Sequence, residues 1–368
     1  MSVTPTQVKL ALSELKQAAR KEPSLAFSGC LSLLERLGPA GTEFDDVLSS
    51  MLAWLPQVMK RAKPSPAQLS DWQGRLYAAF SRNPERLGAI GQSWGKYCTS
   101  KSNASTWADK IHTDLSDTWT PSHLIRPYLA ALLVAERHAE LLSALDQLPE
   151  QRWQDRLLGV EGLAASGQTE QALEYAERSA ALTDAAGLAA CCEQLLISAG
   201  RKDEAYARFA LVAAEAPTYV AWFRAIRKKY PERPSRELLA ALVAHTPGDE
   251  GKWFAAAKDA KLYAEAIELV QRSPADIRTL LRAARSYAES EPTFAMEAGL
   301  AALHWMLDAP HFEISNTDVW NAYNAARVAS TAAGCRDQAY ARMRSMFSTE
   351  QARDRHVTRV LSRELGLS

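Results

Sequence analysis

The sequence is poor in the residues from which metal sites and catalytic sites are most often built. Its 368 residues include five cysteines and seven histidines, and no two cysteines have the Cys-x-x-Cys spacing of zinc ligands. Neither a phosphate-binding Gly-rich loop nor a His-Glu-x-x-His zinc motif is present. The densest group of candidate ligands matches no strong zinc motif and consists of His304, Asp308, His311 and Glu313. We therefore expect no metal, no cofactor and no catalytic residues.

Neither sign of charge is in excess, because 43 basic residues balance 43 acidic ones. The chain thus lacks the overall positive field by which many nucleic-acid-binding proteins attract phosphate. Apolar runs are also short, and none approaches the roughly 20 residues that a helix needs to span a bilayer. The opening segment, "MSVTPTQVKLALSELKQAAR", has the pattern of an amphipathic helix and lacks that of a secretory signal. These features predict a cytoplasmic protein without membrane contact.

Alternating patterns of β-branched and aromatic residues are nearly absent, whereas Ala, Leu, Glu, Gln, Arg and Lys fill the long stretches. In residues 274–290, Ile277, Leu280, Leu281 and Ala284 follow the i, i+3, i+4, i+7 spacing of one helical face, and Asp276 stands where a helix cap is expected. The sequence therefore predicts an all-α protein.

Two segments of the chain are nearly identical, which indicates internal repetition. "AGRKDEAYARF" occupies Ala199–Phe209, and "AGCRDQAYARM" occupies Ala333–Met343. Gly167 and Gly200 are 33 positions apart, close to the period of about 34 residues that is typical of tetratricopeptide repeats. We predict that both segments are a turn followed by the second helix of a helix pair.

The unit 187–217 resembles a tetratricopeptide repeat in its second half. Gly200 stands in the turn, Ala205 in mid-helix, Phe209 one turn later and Pro217 at the end. The first helix departs from the family pattern at Ala189, Cys192, Glu193 and Leu196. The resemblance implies an α-α superhelix, a tetratricopeptide-like solenoid built from stacked helix pairs.

A longer segment, from Leu158 to the C-terminus, resembles an uncharacterised bacterial helical-repeat family. Residues 251–258 and 292–303 carry most of this likeness. Related helical regions follow SWIM zinc modules in some proteins, but the Cys-x-Cys and Cys-x-His ligands of that module are missing here. The resemblance implies a helical fold and neither a zinc site nor a known activity.

Loop-forming residues mark two candidate boundaries in the first third of the chain. Arg61–Gln68 and Ser100–Ser105 are rich in such residues and poor in apolar ones. We therefore predict an N-terminal helical subdomain over residues 1–120 and tetratricopeptide-like helical repeats over residues 121–368.

Three arginines are the main candidates for a binding site. Arg278, Arg282 and Arg285 have the i, i+4, i+7 spacing that places them along one stripe of a helix. In a groove, such a stripe would hold the carboxylates of an acidic or helical segment of a protein partner. We expect the rim to include Trp222, Lys252 and Trp253. The alternative is that the stripe is neutralised by Glu289, Glu291 and Glu297.

A second hypothesis is that the chain is a nucleic-acid-associated accessory protein. The segment 223–236 concentrates basic residues, with aromatic residues placed among them. Its basic residues are Arg224, Arg227, Lys228, Lys229, Arg233 and Arg236. The first hypothesis, a non-catalytic protein-binding scaffold or adaptor, requires the arginine stripe and not this segment.

Overall fold

A computed structural model describes residues 4–37, 41–116, 119–308, 314–349, 352 and 355–367. Helices make up 78% of the structure, and the described residues include no β-strand. The prediction of an all-α protein is therefore confirmed. Among the same residues, no helix is both long enough and apolar enough to cross a membrane.

The chain divides into two compact units, Met1–Ala205 and Tyr206–Ser368. The first unit has an apolar core that is continuous from Val8 to Leu148, so it includes residues on both sides of position 120. The division that we predicted at that position stays a prediction. The helices of the first unit are α1 (Pro5–Ala18), α2 (Pro23–Leu37), α3 (Asp45–Ala62), α4 (Pro66–Arg82), α5 (Pro84–Gln92), α6 (Trp94–Tyr97), α7 (Lys101–Asp114), α8 (Ile125–Val134), α9 (His138–Gln147), α10 (Trp153–Ala165), α11 (Thr169–Arg178), α12 (Ala185–Ser198) and α13 (Lys202–Ala205).

The second unit begins with a π-helical turn, Tyr206–Ala210, and also contains a short 3-10 helix, Glu250–Trp253. Its α-helices are α14 (Leu211–Ala213), α15 (Tyr219–Lys229), α16 (Ser235–His245), α17 (Phe254–Asp259), α18 (Tyr263–Arg272), α19 (Ile277–Ser286), α20 (Pro292–Asp308), α21 (Asn316–Ala332), α22 (Arg336–Phe347) and α23 (His356–Leu361). Helix α20 is the centre of this unit, since it contacts α18, α19, α21, α22 and α23.

Within the described residues, five turns between successive helices share one backbone geometry, in which the second residue after the first helix has a positive φ. These residues are Glu136, Gly167, Gly200, Lys261 and Gly334, with φ of 57°, 74°, 76°, 60° and 69°. The next residue donates its backbone N–H to the carbonyl five positions earlier, as from Arg201 to Leu196 at 2.8 Å and from Cys335 to Ser330 at 3.0 Å. This bond satisfies a carbonyl that the end of the helix would leave unpaired.

The fifth residue after each of these positive-φ residues is fully buried. The five buried residues are Leu141, Ala172, Ala205, Ala266 and Ala339, each with 0% exposure. At this position, the first turn of the second helix faces the helix before it, and a small side chain lets the two backbones approach closely. The shared Gly and Ala of the two similar segments therefore encode one turn and one helix contact.

The two similar segments nevertheless differ in their helices. After Ala205, residues Tyr206–Ala210 form a π-helical turn, whereas α22 is a regular α-helix. The two tyrosines also have different surroundings. The ring of Tyr206 lies 3.9 Å from the guanidinium of Arg233, whereas the Tyr340 hydroxyl donates to the Glu364 carbonyl at 2.9 Å. The similar sequences therefore specify the same turn, whereas the geometry and contacts of the rest of each helix depend on the residues that pack against it.

The positive-φ turns give a prediction about stability. Lys261 is exposed and holds a left-handed conformation that disfavours side chains, so Lys261→Gly should raise the free energy of unfolding by about 0.5–1 kcal/mol. Gly334→Ala should lower it by about 1 kcal/mol, because the added methyl has open space and acts through the backbone alone. Urea unfolding measures both changes.

Lys261→Ala is the matched control, because it removes the charge and keeps the backbone strain. A gain in stability from Lys261→Ala equal to that from Lys261→Gly would show that the lysine side chain, and not its φ, is responsible.

Candidate partner-binding groove

The second unit has a groove of about 390 Å³ that crosses three helices, α15, α17 and α19. Each of these helices also contacts the helix that follows it and is the first member of a pair, with α16, α18 and α20 as the second members. The residues that line the groove are Val220, Arg224, Ala255, Lys258, Asp259, Thr279, Arg282, Ala283, Ser286 and Tyr287. The groove therefore collects side chains that are far apart in the sequence.

Helix α19 turns its charged residues outward because its opposite face is apolar. Leu280, Leu281 and Ala284 are buried on that face. The helix starts at the predicted residue, since the Asp276 carboxylate accepts a hydrogen bond from the Thr279 backbone N–H at 2.9 Å. The cap and the buried face together fix the direction in which the arginines point.

Cations surround one carboxylate in the groove, that of Asp259. Arg224 donates two hydrogen bonds to it, from Nε at 2.9 Å and from a terminal nitrogen at 2.8 Å. These bonds hold the pKa of the Asp259 carboxyl below its usual value, and the charges of Lys258 and Arg227 act in the same direction. Among the described residues that line the groove, Asp259 is the one acid beside three basic residues, so this lining is positively charged.

The three arginines of the predicted stripe are exposed, and none forms an ion pair with a described residue. Their polar contacts within the helix are weak, such as Arg282 Nε with the Arg278 carbonyl at 3.4 Å. The proposed neutralisation is not seen in the described part of the chain. Glu297 instead pairs with Arg342, which donates to its second oxygen at 2.9 Å. Arg282 lies both on the stripe and in the groove lining, so the two features meet there.

The predicted tryptophan rim is wrong, because both indole rings belong to the core. Trp222 is 7% exposed and Trp253 is 0% exposed, and their ring centroids are 5.5 Å apart. Trp222 donates its indole N–H to the Leu211 carbonyl at 2.8 Å, and Trp253 donates to the Thr246 hydroxyl at 2.7 Å. A buried indole needs such a partner. Lys252 is exposed and pairs with Asp249 at 2.8 Å.

The basic residues of segment 223–236 do not form one continuous cationic surface. Arg224 pairs with Asp259 and lines the groove, whereas Arg236 pairs with Glu265 at 2.5 Å and Arg233 pairs with Glu237 at 2.6 Å. Helix α15, which also contains Arg224, ends with the three basic residues Arg227, Lys228 and Lys229. The aromatic rings among them are buried and cannot stack on bases, namely Trp222, Phe223 and Tyr230.

Sequence reasoning missed the two other charged residues of the groove lining, Lys258 and Asp259. They belong to α17, which has only six residues and is too short for periodicity to assign a face. The ammonium of Lys258 lies 5.7 Å from the centre of the Tyr287 ring, a cation–π distance. The ring and Asp259 thus hold basic groups of this groove in place.

The candidate metal ligands give no site that can be described. His311, Glu313 and the side chain of Asp308 lie outside the described residues, and the His304 ring lies 4.8 Å from the Trp305 ring. Elsewhere in the described ranges, no three His, Cys, Asp or Glu residues are grouped as metal ligands would be.

One short match to a catalytic pattern lies in the first unit, where residues 91–95 read Gly-Gln-Ser-Trp-Gly. In hydrolases, Gly-x-Ser-x-Gly exposes its serine on a strained turn from a strand to a helix. Here Ser93 lies between two helices, α5 and α6, with φ of −103° and ψ of 9°. The segment therefore lacks the backbone context that the pattern requires.

Comparisons with known proteins add no assignment. No protein-family profile matches the chain. No curated protein is similar to it in sequence. Neither comparison supports the resemblance to the bacterial helical-repeat family, so a function has to be argued from the geometry.

The opposite environments of the tryptophans and the arginines give a prediction. Trp222→Ala and Trp253→Ala should each lower the free energy of unfolding by about 3–5 kcal/mol, because each leaves a cavity in the core. The triple variant Arg278/Arg282/Arg285→Gln should stay within about 1 kcal/mol of the wild type, because exposed arginines without ion pairs contribute little to stability.

Chemical unfolding followed by circular dichroism makes this comparison. A triple variant destabilised as strongly as the tryptophan variants would mean that the arginines hold the fold together.

Proposed function

We propose that the second unit is a tetratricopeptide-like solenoid that binds an acidic segment of a partner protein in the groove across α15, α17 and α19. The observation that carries the proposal is the set of basic side chains that converge there from three helices. Arg282 has no ion pair with a described residue, and Arg278 and Arg285 extend the same stripe. Such unpaired cations are available to carboxylates.

The arrangement of the helices supports the solenoid part of this proposal. Helix α15 contacts α17, and α19 contacts α21, so first members of pairs pack on one another. Second members do the same, since α18 contacts α20 and α20 contacts α22. The common turn geometry at Lys261 and Gly334 agrees with a stack of related helix pairs.

The chemistry of the groove favours a carboxylate-bearing peptide over a nucleic acid. An arginine can donate two parallel hydrogen bonds to a carboxylate, and Arg224 already does so with Asp259. A single-strand binder would also need exposed aromatic rings, and the tryptophan and phenylalanine of α15 are buried.

Binding of a labelled peptide tests the proposal. The probe is a synthetic peptide rich in glutamate, and fluorescence anisotropy reports its affinity at several salt concentrations. Arg278/Arg282/Arg285→Glu should weaken binding at least about tenfold, since three exposed ion pairs worth up to about 1 kcal/mol each become repulsive. Asp259→Asn should strengthen binding, because the groove loses its one negative charge.

The matched control makes the same change of charge elsewhere. Lys9, Arg20 and Lys21 are exposed in the first unit, so Lys9/Arg20/Lys21→Glu alters the net charge equally without touching the groove. Equal weakening by both triple variants would mean that the peptide senses only net charge and would refute the groove. Tighter binding of a single-stranded oligonucleotide of the same charge would favour the nucleic-acid hypothesis instead.

A further inference from the structure

Helix α21 has an exposed face that combines apolar and basic groups. Trp320 is 36% exposed and Val328 is 51% exposed, both high for large apolar residues. Asn324 and Arg327 are exposed between them. The residues share one face, since positions i, i+4, i+7 and i+8 recur on the same side of a helix. Part of the indole is held in place by Tyr323, whose ring centroid lies 5.9 Å away.

The packing of α20 decides where this face lies. Helices α19 and α21 both pack on α20 and also contact each other. The fit of α21 is tight, because a methyl group added at Gly299 of α20 would come within 3.0 Å of the Ala326 backbone. With Ala322, Ala326 and Ala329 buried, the Trp320 face of α21 is the side left uncovered. The neighbouring α19 leaves its arginine stripe uncovered.

The charged groups left uncovered on α21 and on the arginine stripe of α19 are positive. Arg327 forms no ion pair with a described residue, and the same holds for the arginines of α19. A second copy of this chain is a poor occupant, because a symmetric contact through this face would bring the same unpaired cations of both copies into one interface. An acidic occupant satisfies these cations, and apolar side chains on it would cover Trp320 and Val328.

We infer that Trp320 and Val328 are an apolar anchoring site for the partner segment, which is therefore an amphipathic acidic helix. The inference rests on the proposed function, and it adds the specificity that charge alone does not give. Trp320 and Val328 are eight residues apart, or about 12 Å along the helix, so two apolar residues about two turns apart on a partner helix would reach both. Exposed tryptophans are frequent anchors in interfaces of this kind.

Two peptides of equal charge separate the anchor from the groove. The first is an acidic helix with leucines at i, i+4 and i+7, and the second has glutamine at those three positions. Wild-type protein should bind the leucine peptide about tenfold more tightly than the glutamine peptide. Trp320→Ala should remove this difference in affinity and leave the affinity for the glutamine peptide unchanged. The salt dependence of binding should stay the same for both peptides.

The arginine variants should behave in the opposite way. Arg278/Arg282/Arg285→Gln should weaken the binding of both peptides and reduce the salt dependence of their affinities. The preference for the leucine peptide should remain. Leu25→Ala is the matched control, because Leu25 is another exposed apolar residue, at 60%, in the first unit. Circular dichroism checks that each variant is folded.

The outcomes distinguish the two claims. Equal affinities of wild-type protein for the two peptides, or an intact leucine preference in Trp320→Ala, would overturn the anchoring site and leave the groove standing. Failure of both peptides to bind wild-type protein would overturn the proposed function and the anchoring site with it. Self-association that Trp320→Ala abolishes would show that the face is an interface between copies of this chain.

Discussion

Close approach of neighbouring helices is the constraint on which the rest of the structure depends. After each of the five positive-φ residues, the second helix meets the first at a fully buried side chain, which is an alanine in four cases and Leu141 in the other. A larger group at the alanine positions would push the backbones apart. In these five pairs the turn and this contact together fix the rotation of the second helix, so they also determine which of its residues remain outside.

The groove does not follow from these turns alone, since among the described residues only one of its three helices, α17, is followed by a positive-φ turn. Apolar residues of α15 and α19 are buried, whereas polar residues of the same two helices line the groove. Arg224, Lys258 and Arg282 come from three helices, and tertiary contacts bring them to one groove. Apart from the pairing of Arg224 with Asp259, little in the described residues offsets the positive charge. A surface that keeps unpaired arginines gains no stability from them, which is why we connect them with binding.

Much of the fold was predictable from the sequence, whereas only part of the site was. Helical periodicity correctly indicated that Leu280 and Leu281 face inward and that Asp276 caps the helix. The same reasoning placed Trp222 and Trp253 on a rim, and they are buried. A tryptophan beside basic residues in the sequence can lie in a core or on a surface. Only the residues that pack around it in the fold decide between the two. Lys258 went unnoticed because its helix is short.

The sequence by itself determined the all-α class, the turns at Gly200 and Gly334 and the stripe of three arginines, because each depends on residues less than about two helical turns apart. The tertiary structure decided which cations share a groove, which acids neutralise them and which aromatic rings are covered. Glu297 shows the difference. It is closer in sequence to the arginine stripe than to Arg342, yet the packing of α20 beside α22 pairs it with Arg342. Packing determines which charged residues of different helices pair, and the spacing of residues along one helix does not contain that information.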